Sequence, residues 1–416
     1  MHHLGKNIAA LFVLQVSVYL IPLITTPYLA RTLEVANFGL LGVASAIISY
    51  VSMLSDWGFA FTATRETARH AGDPGALRKI LWDTILAKGL LCGIGLTIFL
   101  TIIWIVPQWR GMVPLLLVYS LTPIIGVFGV GWFLQGMEKM VAYAAISLVV
   151  RFAYVPLILI FVHSKNDVLI VAAIQSATAI VSVVASLVVA RRNVPLLPIH
   201  LDLRAALQQI KLGMPVFLST GGISLYTQSN IILVGTIAGP VQAGLYSGGE
   251  KIQRALQGLA GPISAAVYPR INNLLVSNPN ESHKLMRWTL IGQGGLTLCM
   301  SIAMFLSADM VTTVFLGDQY VNAVPVIRWL SAVPFLTGLS NSLGVNMMFP
   351  FGMNAEMARI TVASGVFNLV MLTLLTYEKG AVGAAISIVM TEIFVTSAMA
   401  WTIYAKRKIA FQTDRT

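Results

Sequence analysis

The sequence predicts an all-α polytopic membrane protein, with about twelve transmembrane helices in two six-helix lobes related by a pseudo-two-fold axis along the membrane normal. Three observations carry that prediction. Apolar residues make up 57% of the 416 and charged residues only 10%, with a mean hydropathy of +0.81, against roughly 25% charged in soluble domains. The apolar stretches are continuous rather than alternating, and each approaches the roughly 20 residues a helix needs to cross a hydrocarbon core about 30 Å thick. Basic residues crowd the loops of one predicted side.

The predicted spans are 8–31, 37–60, 80–106, 111–134, 141–162, 168–190, 211–236, 241–266, 285–308, 322–346, 357–377 and 380–404. The first follows "MHHLGKN" but is too long for a cleaved leader, carries Pro22 midway and lacks a small-residue cleavage site, so it reads as a retained helix. Six spans precede the basic, proline-containing connector and six follow it. The expected organisation is an N-terminal lobe 1–190, a connector 191–210 and a C-terminal lobe 211–416. Within "RRNVPLLPIHLDLRAALQQIK", the stretch "LDLRAALQQIKLG" has helical apolar spacing and is expected at the membrane interface. A faint internal echo, "ARTLEVANFGLLG" (30–42) against "VGTIAGPVQAGLYS" (234–247), fits a duplication. An even number of spans per half leaves both halves in the same orientation, with a binding cleft expected between them.

The net charge of +11 is explained by topology rather than by nucleic acid, for which no basic domain exists. With both termini in the cytoplasm, 18 of the 27 Lys and Arg residues fall on the cytoplasmic side and four, Arg31, Arg110, Lys165 and Lys379, on the other. That asymmetry fixes the expected orientation.

The charges inside spans are the informative exceptions. Lys88, Arg151 and Lys251 each lie about ten residues into a helix, or roughly 15 Å deep. Arg254 and Gln257 extend the Lys251 stripe at three-residue spacing. The in-span acids are Asp56, Asp83, Glu250 and Glu392. A charge at the bilayer centre costs about 2.5–3.5 kcal/mol on insertion scales, so such residues face a bundle interior or a watery cavity. Glu250 with Arg254 and Lys79 with Asp83 stand at i, i+4 and can neutralise one another. Paired off in this way, the deep cations outnumber the deep acids, and the excess asks for an anionic ligand. Arg as a bidentate fork and Lys as a point charge suit a phosphate, such as a pyrophosphate carried on a lipid.

Several function classes are excluded. No GxxxxGK[ST] loop is present, and "GQGGL" (292–296) reads as helix packing rather than phosphate binding. The six histidines lack metal-ligand spacing. Cys92 and Cys299 lie inside spans, so no disulfide framework is expected. No nucleophile elbow and no long outer loop offer an active site, so the chain is not expected to be an enzyme. Trp104, Trp109, Trp132 and Trp401 lie near span ends and read as an interfacial belt.

Five segments resemble the Wzx-type O-antigen and polysaccharide flippases of the MOP superfamily. They are "LIPLITTPYLARTLEVANFGLLG" (20–42), "SDWGFAFTATRETAR" (55–69), "GWFLQGMEKM" (131–140), "LYTQSNIILVG" (225–235) and "GLYSGGEKIQRALQGLAGPISAAVYPRI" (244–271). The resemblance implies a MOP/MATE-like fold that carries an undecaprenyl-pyrophosphate-linked oligosaccharide across the bacterial inner membrane by alternating access. The implied partners are this lipid-linked substrate, the membrane, and the polymerase and chain-length machinery of the same pathway. Asp56, Arg65, Glu66 and Arg69 would form a cytoplasmic gate of breakable salt bridges. The resemblance places Lys251 and Arg254 in the cleft, and with Lys88, Arg151 and Gln257 from the depth reading they are expected to hold the pyrophosphate and sugar; the energy source is either exchange of H⁺ or Na⁺ at Glu392 or Asp56 or consumption of the product outside. No other cofactor is called for. Gly248, Gly249, Gly258, Gly261 and Pro262 would let the eighth span bend. The rivals are a cation-coupled drug exporter of the same superfamily, which wants buried carboxylates, and a membrane glycosyl polymerase or ligase, which wants a large outer loop.

Overall fold

A computed structural model describes residues 2–199 and 201–410, without the side chains of 2–16, 19, 219–227, 259–262, 265 and 407–410. Among the described residues there are helices and turns but no strands. Among the described residues, eight helical stretches are long and apolar enough to cross a membrane. Two of them, Leu20–Arg69 and Asn354–Lys406, run to 50 and 53 residues, about twice what one crossing needs. The first is broken at Glu34 (φ 63°), and again at Trp57 and Gly58, and the second at Gly380 (φ 56°); Glu34 and Gly380 stand where the predicted first and second, and eleventh and twelfth, spans meet.

The chain divides into two compact units, Met1–Gly221 and Gly222–Thr416. In the first, helix α1 (His2–Asp56) packs against α6 (Met140–Phe161), α3 (Pro74–Ile105) and α4 (Val113–Gly126). α7 (Val168–Arg191) covers α4 and α6. Two short helices, α2 (Phe59–Arg69) and α5 (Gly131–Gly136), pack on each other. The absent side chain of Gly136 permits this, because a Cβ there would stand 2.6 Å from Thr67 Cβ and 2.7 Å from the Thr64 carbonyl oxygen. Close approach through small residues is how helices associate where lipid removes the hydrophobic drive.

α8 (Leu203–Ala238) runs from the first unit into the second. The helix expected at the interface is therefore the N-terminal part of a longer one. The second unit consists of α9 (Pro240–Ser277), α10 (Pro279–Leu306), α11 (Ala308–Val311), α12 (Val324–Leu330), α13 (Ala332–Leu343) and α14 (Asn354–Ala410). α9 is unbroken at Gly248 and Gly249, where close packing leaves no room for a side chain: Cβ atoms there would lie 2.9 Å from Leu316 and 3.3 Å from Val326, Ile327 and Leu330. Gly261 and Pro262 lie outside the described side chains. At Gly294 of "GQGGL" a Cβ would likewise come within 3.1 Å of Leu339.

Two expectations for the aromatic belt are corrected. Trp104 and Trp401 are exposed at span ends, but Trp109 and Trp132 are buried, Trp132 edge-on to Phe133 at 5.6 Å. Hydropathy places a tryptophan along a span and cannot say which face it turns inward.

Candidate functional site

In the first unit, the centre of interest is a break in the second predicted span. α1 ends at Asp56, Trp57 and Gly58 take left-handed backbone (φ 41° and 83°), and α2 starts at Phe59. A side chain at Gly58 would also meet Val216 at 2.7 Å. The break is fixed by α8: the Trp57 indole stacks on Phe217 at 4.0 Å and its Nε1–H donates to the Ile210 carbonyl at 2.8 Å. Gly213 makes room, since a Cβ there would lie 2.7 Å from the Trp57 carbonyl oxygen.

Beside this break, Lys88 of α3 is buried, and its Nζ lies 3.1 Å from Asp56 Oδ1 and donates to the Gly126 carbonyl at 2.8 Å. Asp56 and Gly126 are the last residues of α1 and α4. The ammonium thus sits where two helices present their negative ends. Ser55 Oγ also donates to the Lys88 carbonyl, at 3.2 Å. The two partners differ sharply in exposure: the Lys88 side chain is 5% exposed and the Asp56 side chain 65%. The sequence-level tally counted Lys88 as surplus, and the structure corrects it, because Lys88 has a carboxylate of its own.

Arg151 is exposed midway along α6 between exposed Val149 and Phe152, without a carboxylate in ion-pair reach among the described residues. Glu66 on α2 pairs with Arg69 at 3.2 Å and approaches Arg65 at 3.9 Å, so three of the four expected gate residues form one exposed cluster and Asp56 stands apart with Lys88.

In the second unit, Arg254 Nη2 donates to Glu250 Oε1 at 2.9 Å, the i, i+4 pair read from the sequence. Lys251 is half-buried next to it. Gln257, three residues beyond Arg254 on the same helix, accepts from Gln253 Nε2 at 2.6 Å. Tyr246, one turn before Glu250, and Asn230 on α8 are both buried, with the Tyr246 hydroxyl and Asn230 Oδ1 lacking hydrogen-bond partners. These two escaped the sequence reading; the signal was the i, i+4, i+8 spacing of Tyr246, Glu250 and Arg254. Glu392 on α14 is half-buried beside Thr337, without a cation in ion-pair reach among the described residues. Of the expected pair Lys79 and Asp83, Lys79 is exposed and Asp83 buried. Among the described residues no cluster of His, Cys, Asp and Glu could hold a metal ion.

The family described as polysaccharide biosynthesis protein matches residues 4–275. A protein of Escherichia coli (strain K12), described as a candidate O-antigen transporter, is 34% identical over 403 residues, covering 95% of each chain. Among solved structures, a lipid II flippase MurJ in an inward closed conformation superposes with a TM-score of 0.70 over 99% of this chain and 93% of its own, at 11% identity. The eukaryotic MATE transporter AtDTX14 gives 0.54 over 98% and 96%, at 14% identity. At such identities these two likenesses establish the fold alone.

Proposed function

From the premise that the chain belongs to the polysaccharide biosynthesis protein family, among the O-antigen transporters, we propose that it is a flippase for a lipid-linked oligosaccharide. In this reading the cargo is an undecaprenyl-pyrophosphate-linked repeat unit, moved from the cytoplasmic to the periplasmic leaflet of the bacterial inner membrane by alternating access. Both termini lie in the cytoplasm, the side that takes 18 of the basic residues. The polymerase and chain-length machinery that consume the product are the expected partners.

One observation carries the reading: a buried ammonium, Lys88, neutralised by a carboxylate that stays largely open to solvent, Asp56. An incoming diphosphate competes with Asp56 for Lys88, while Asp56, already exposed, rehydrates at little cost. A charge-assisted bond of this kind contributes about 1.5–3 kcal/mol. The Arg254–Glu250 pair has the opposite balance, with the guanidinium the more exposed partner, and the planar fork of Arg254 suits a phosphate. Arg151 in the first unit and Lys251 in the second are the further cations of this reading. Breaking and remaking the Glu66 pairs with Arg65 and Arg69 serves as the gate. A cation-coupled cycle is favoured by Glu392, a half-buried carboxylate free to take H⁺ or Na⁺.

The test is transport by purified protein in liposomes loaded with lipid-linked oligosaccharide. The substrate crosses chemically unchanged with the wild-type protein, and crossing is lost with Lys88→Gln. A lengthened glycan points instead to a polymerase, and no crossing with any lipid-linked sugar contradicts the proposal.

A further inference from the structure

α8 is longer than a membrane crossing requires. Its 36 residues rise about 54 Å against a hydrocarbon core of about 30 Å. Residues 212–238 carry no charge, whereas the stretch before them holds Arg204 and Lys211. The surplus therefore lies at the N-terminal end, at the membrane surface.

That end has two distinct faces. Ala206 and Gly213 share a helical position and are buried, Gly213 against Trp57. Leu203, Leu207 and Met214 share another and are all exposed. Arg204 and Lys211, seven residues apart, flank this apolar stripe and are exposed as well. The chain leading into α8 repeats the combination, with exposed Leu197, Ile199 and Leu201 following exposed Arg191 and Arg192. It is held in place on α3, where Arg78 Nη1 donates to the Leu197 carbonyl at 3.0 Å and Trp82 Nε1 to the Leu196 carbonyl at 2.8 Å.

The acids of this region are occupied. Asp73 Oδ1 accepts from the Gly75 and Ala76 amides at 2.8 and 3.1 Å, capping α3, and Asp202 Oδ1 accepts from the Arg204 and Ala205 amides at 2.9 and 3.2 Å, capping α8. A row of leucines with cations along one edge matches the boundary between acyl chains and negatively charged headgroups. Bare leucines facing water are disfavoured at about 25 cal/mol per Å², and a soluble acidic partner would leave them there.

We propose that residues 191–199 and 201–214 form a binding surface for anionic phospholipid, in which Arg191, Arg192, Arg204 and Lys211 hold headgroup phosphates while Leu203, Leu207 and Met214 enter the acyl region. This surface is independent of the transport reading and needs none of the residues assigned to the diphosphate.

The full-length protein, purified in detergent and offered phosphatidylglycerol or phosphatidylcholine, is examined by native mass spectrometry. The wild type retains phosphatidylglycerol in preference. Arg204→Gln with Lys211→Gln lowers that preference at least tenfold, at about fivefold per charge. The charge-conserving pair Arg204→Lys with Lys211→Arg keeps it, which separates loss of charge from misfolding. Arg110→Gln with Lys379→Gln, outside this surface, leaves it unchanged. Equal retention of the two lipids by the wild type, full preference in the neutral pair, an equal loss in the Arg110 and Lys379 control, or a protein partner or second copy covering the stripe in place of lipid overturns the proposal.

Discussion

The Lys88 ammonium lies 3.1 Å from Asp56 Oδ1 and 2.8 Å from the Gly126 carbonyl oxygen, so the ends of two different helices converge on one buried cation. Its two acceptors are unequal. Gly126 is fixed by the backbone, and Asp56 is an exposed side chain that can leave. Lys88→Gln should weaken binding of a polyprenyl diphosphate by about 10- to 100-fold, the equivalent of one charge-assisted bond. Isothermal titration of the purified protein measures it.

The indole of Trp57 ties the adjoining break to α8 through one stacked ring and one hydrogen bond. Trp57→Ala should lower unfolding free energy by roughly 1–3 kcal/mol, the sum expected for an aromatic pair and a neutral hydrogen bond. Trp57→Phe keeps the stack and recovers about half. Thermal unfolding in a single detergent compares the three.

Gly136→Ala should be more harmful than an exposed Gly→Ala change elsewhere. The new methyl meets Thr67 Cβ at 2.6 Å and the Thr64 carbonyl oxygen at 2.7 Å, so α2 and α5 must separate. Overpacking of this kind costs typically 1–3 kcal/mol. Gly93→Ala, where nothing lies within 4 Å, is the matched control.

Acid sensitivity has one identifiable source outside the spans. Asp167 Oδ2 accepts from the His163 and Ser164 amides at 2.8 Å each, and these bonds hold its carboxyl below the ordinary aspartate value. A folded-state pKa that is depressed stabilises the fold above the unfolded value, and the gain is lost as pH falls through the lower, folded value. Stability of the 163–167 turn should therefore drop below the ordinary aspartate range. Asp167→Asn should flatten that part of the pH profile, as followed by hydrogen exchange of the Ser164 amide.

Glu392→Gln should leave substrate binding intact and remove the dependence of transport on a proton or sodium gradient. Transport into liposomes with and without an imposed gradient distinguishes this from a general loss of activity. An unchanged gradient response would move the coupling elsewhere.

Much of the fold was readable because apolar run length is written directly in composition. Glu34 falls in the short polar gap between the first two predicted spans and Gly380 at the first residue of the last, so those breaks were visible. The break at Trp57 and Gly58 was hidden inside the span 37–60, since two weakly polar residues in left-handed backbone leave no trace in hydropathy. Charge pairing was legible only locally. Glu250 and Arg254, four apart, were found, whereas Lys88 and Asp56, 32 residues apart on different helices, were counted separately. Burial of Trp132 and Tyr246 depends on which neighbours cover a helix face, information that sequence spacing alone does not carry.

Counter-ion exchange at Lys88 is tested most directly by the affinity of a polyprenyl-diphosphate oligosaccharide for Asp56→Asn beside Lys88→Gln and the wild type. Removing the competing carboxylate should tighten binding by about fivefold or more, as one exposed charge-assisted partner is lost, while Lys88→Gln weakens it. Equal affinities in all three proteins would contradict the account.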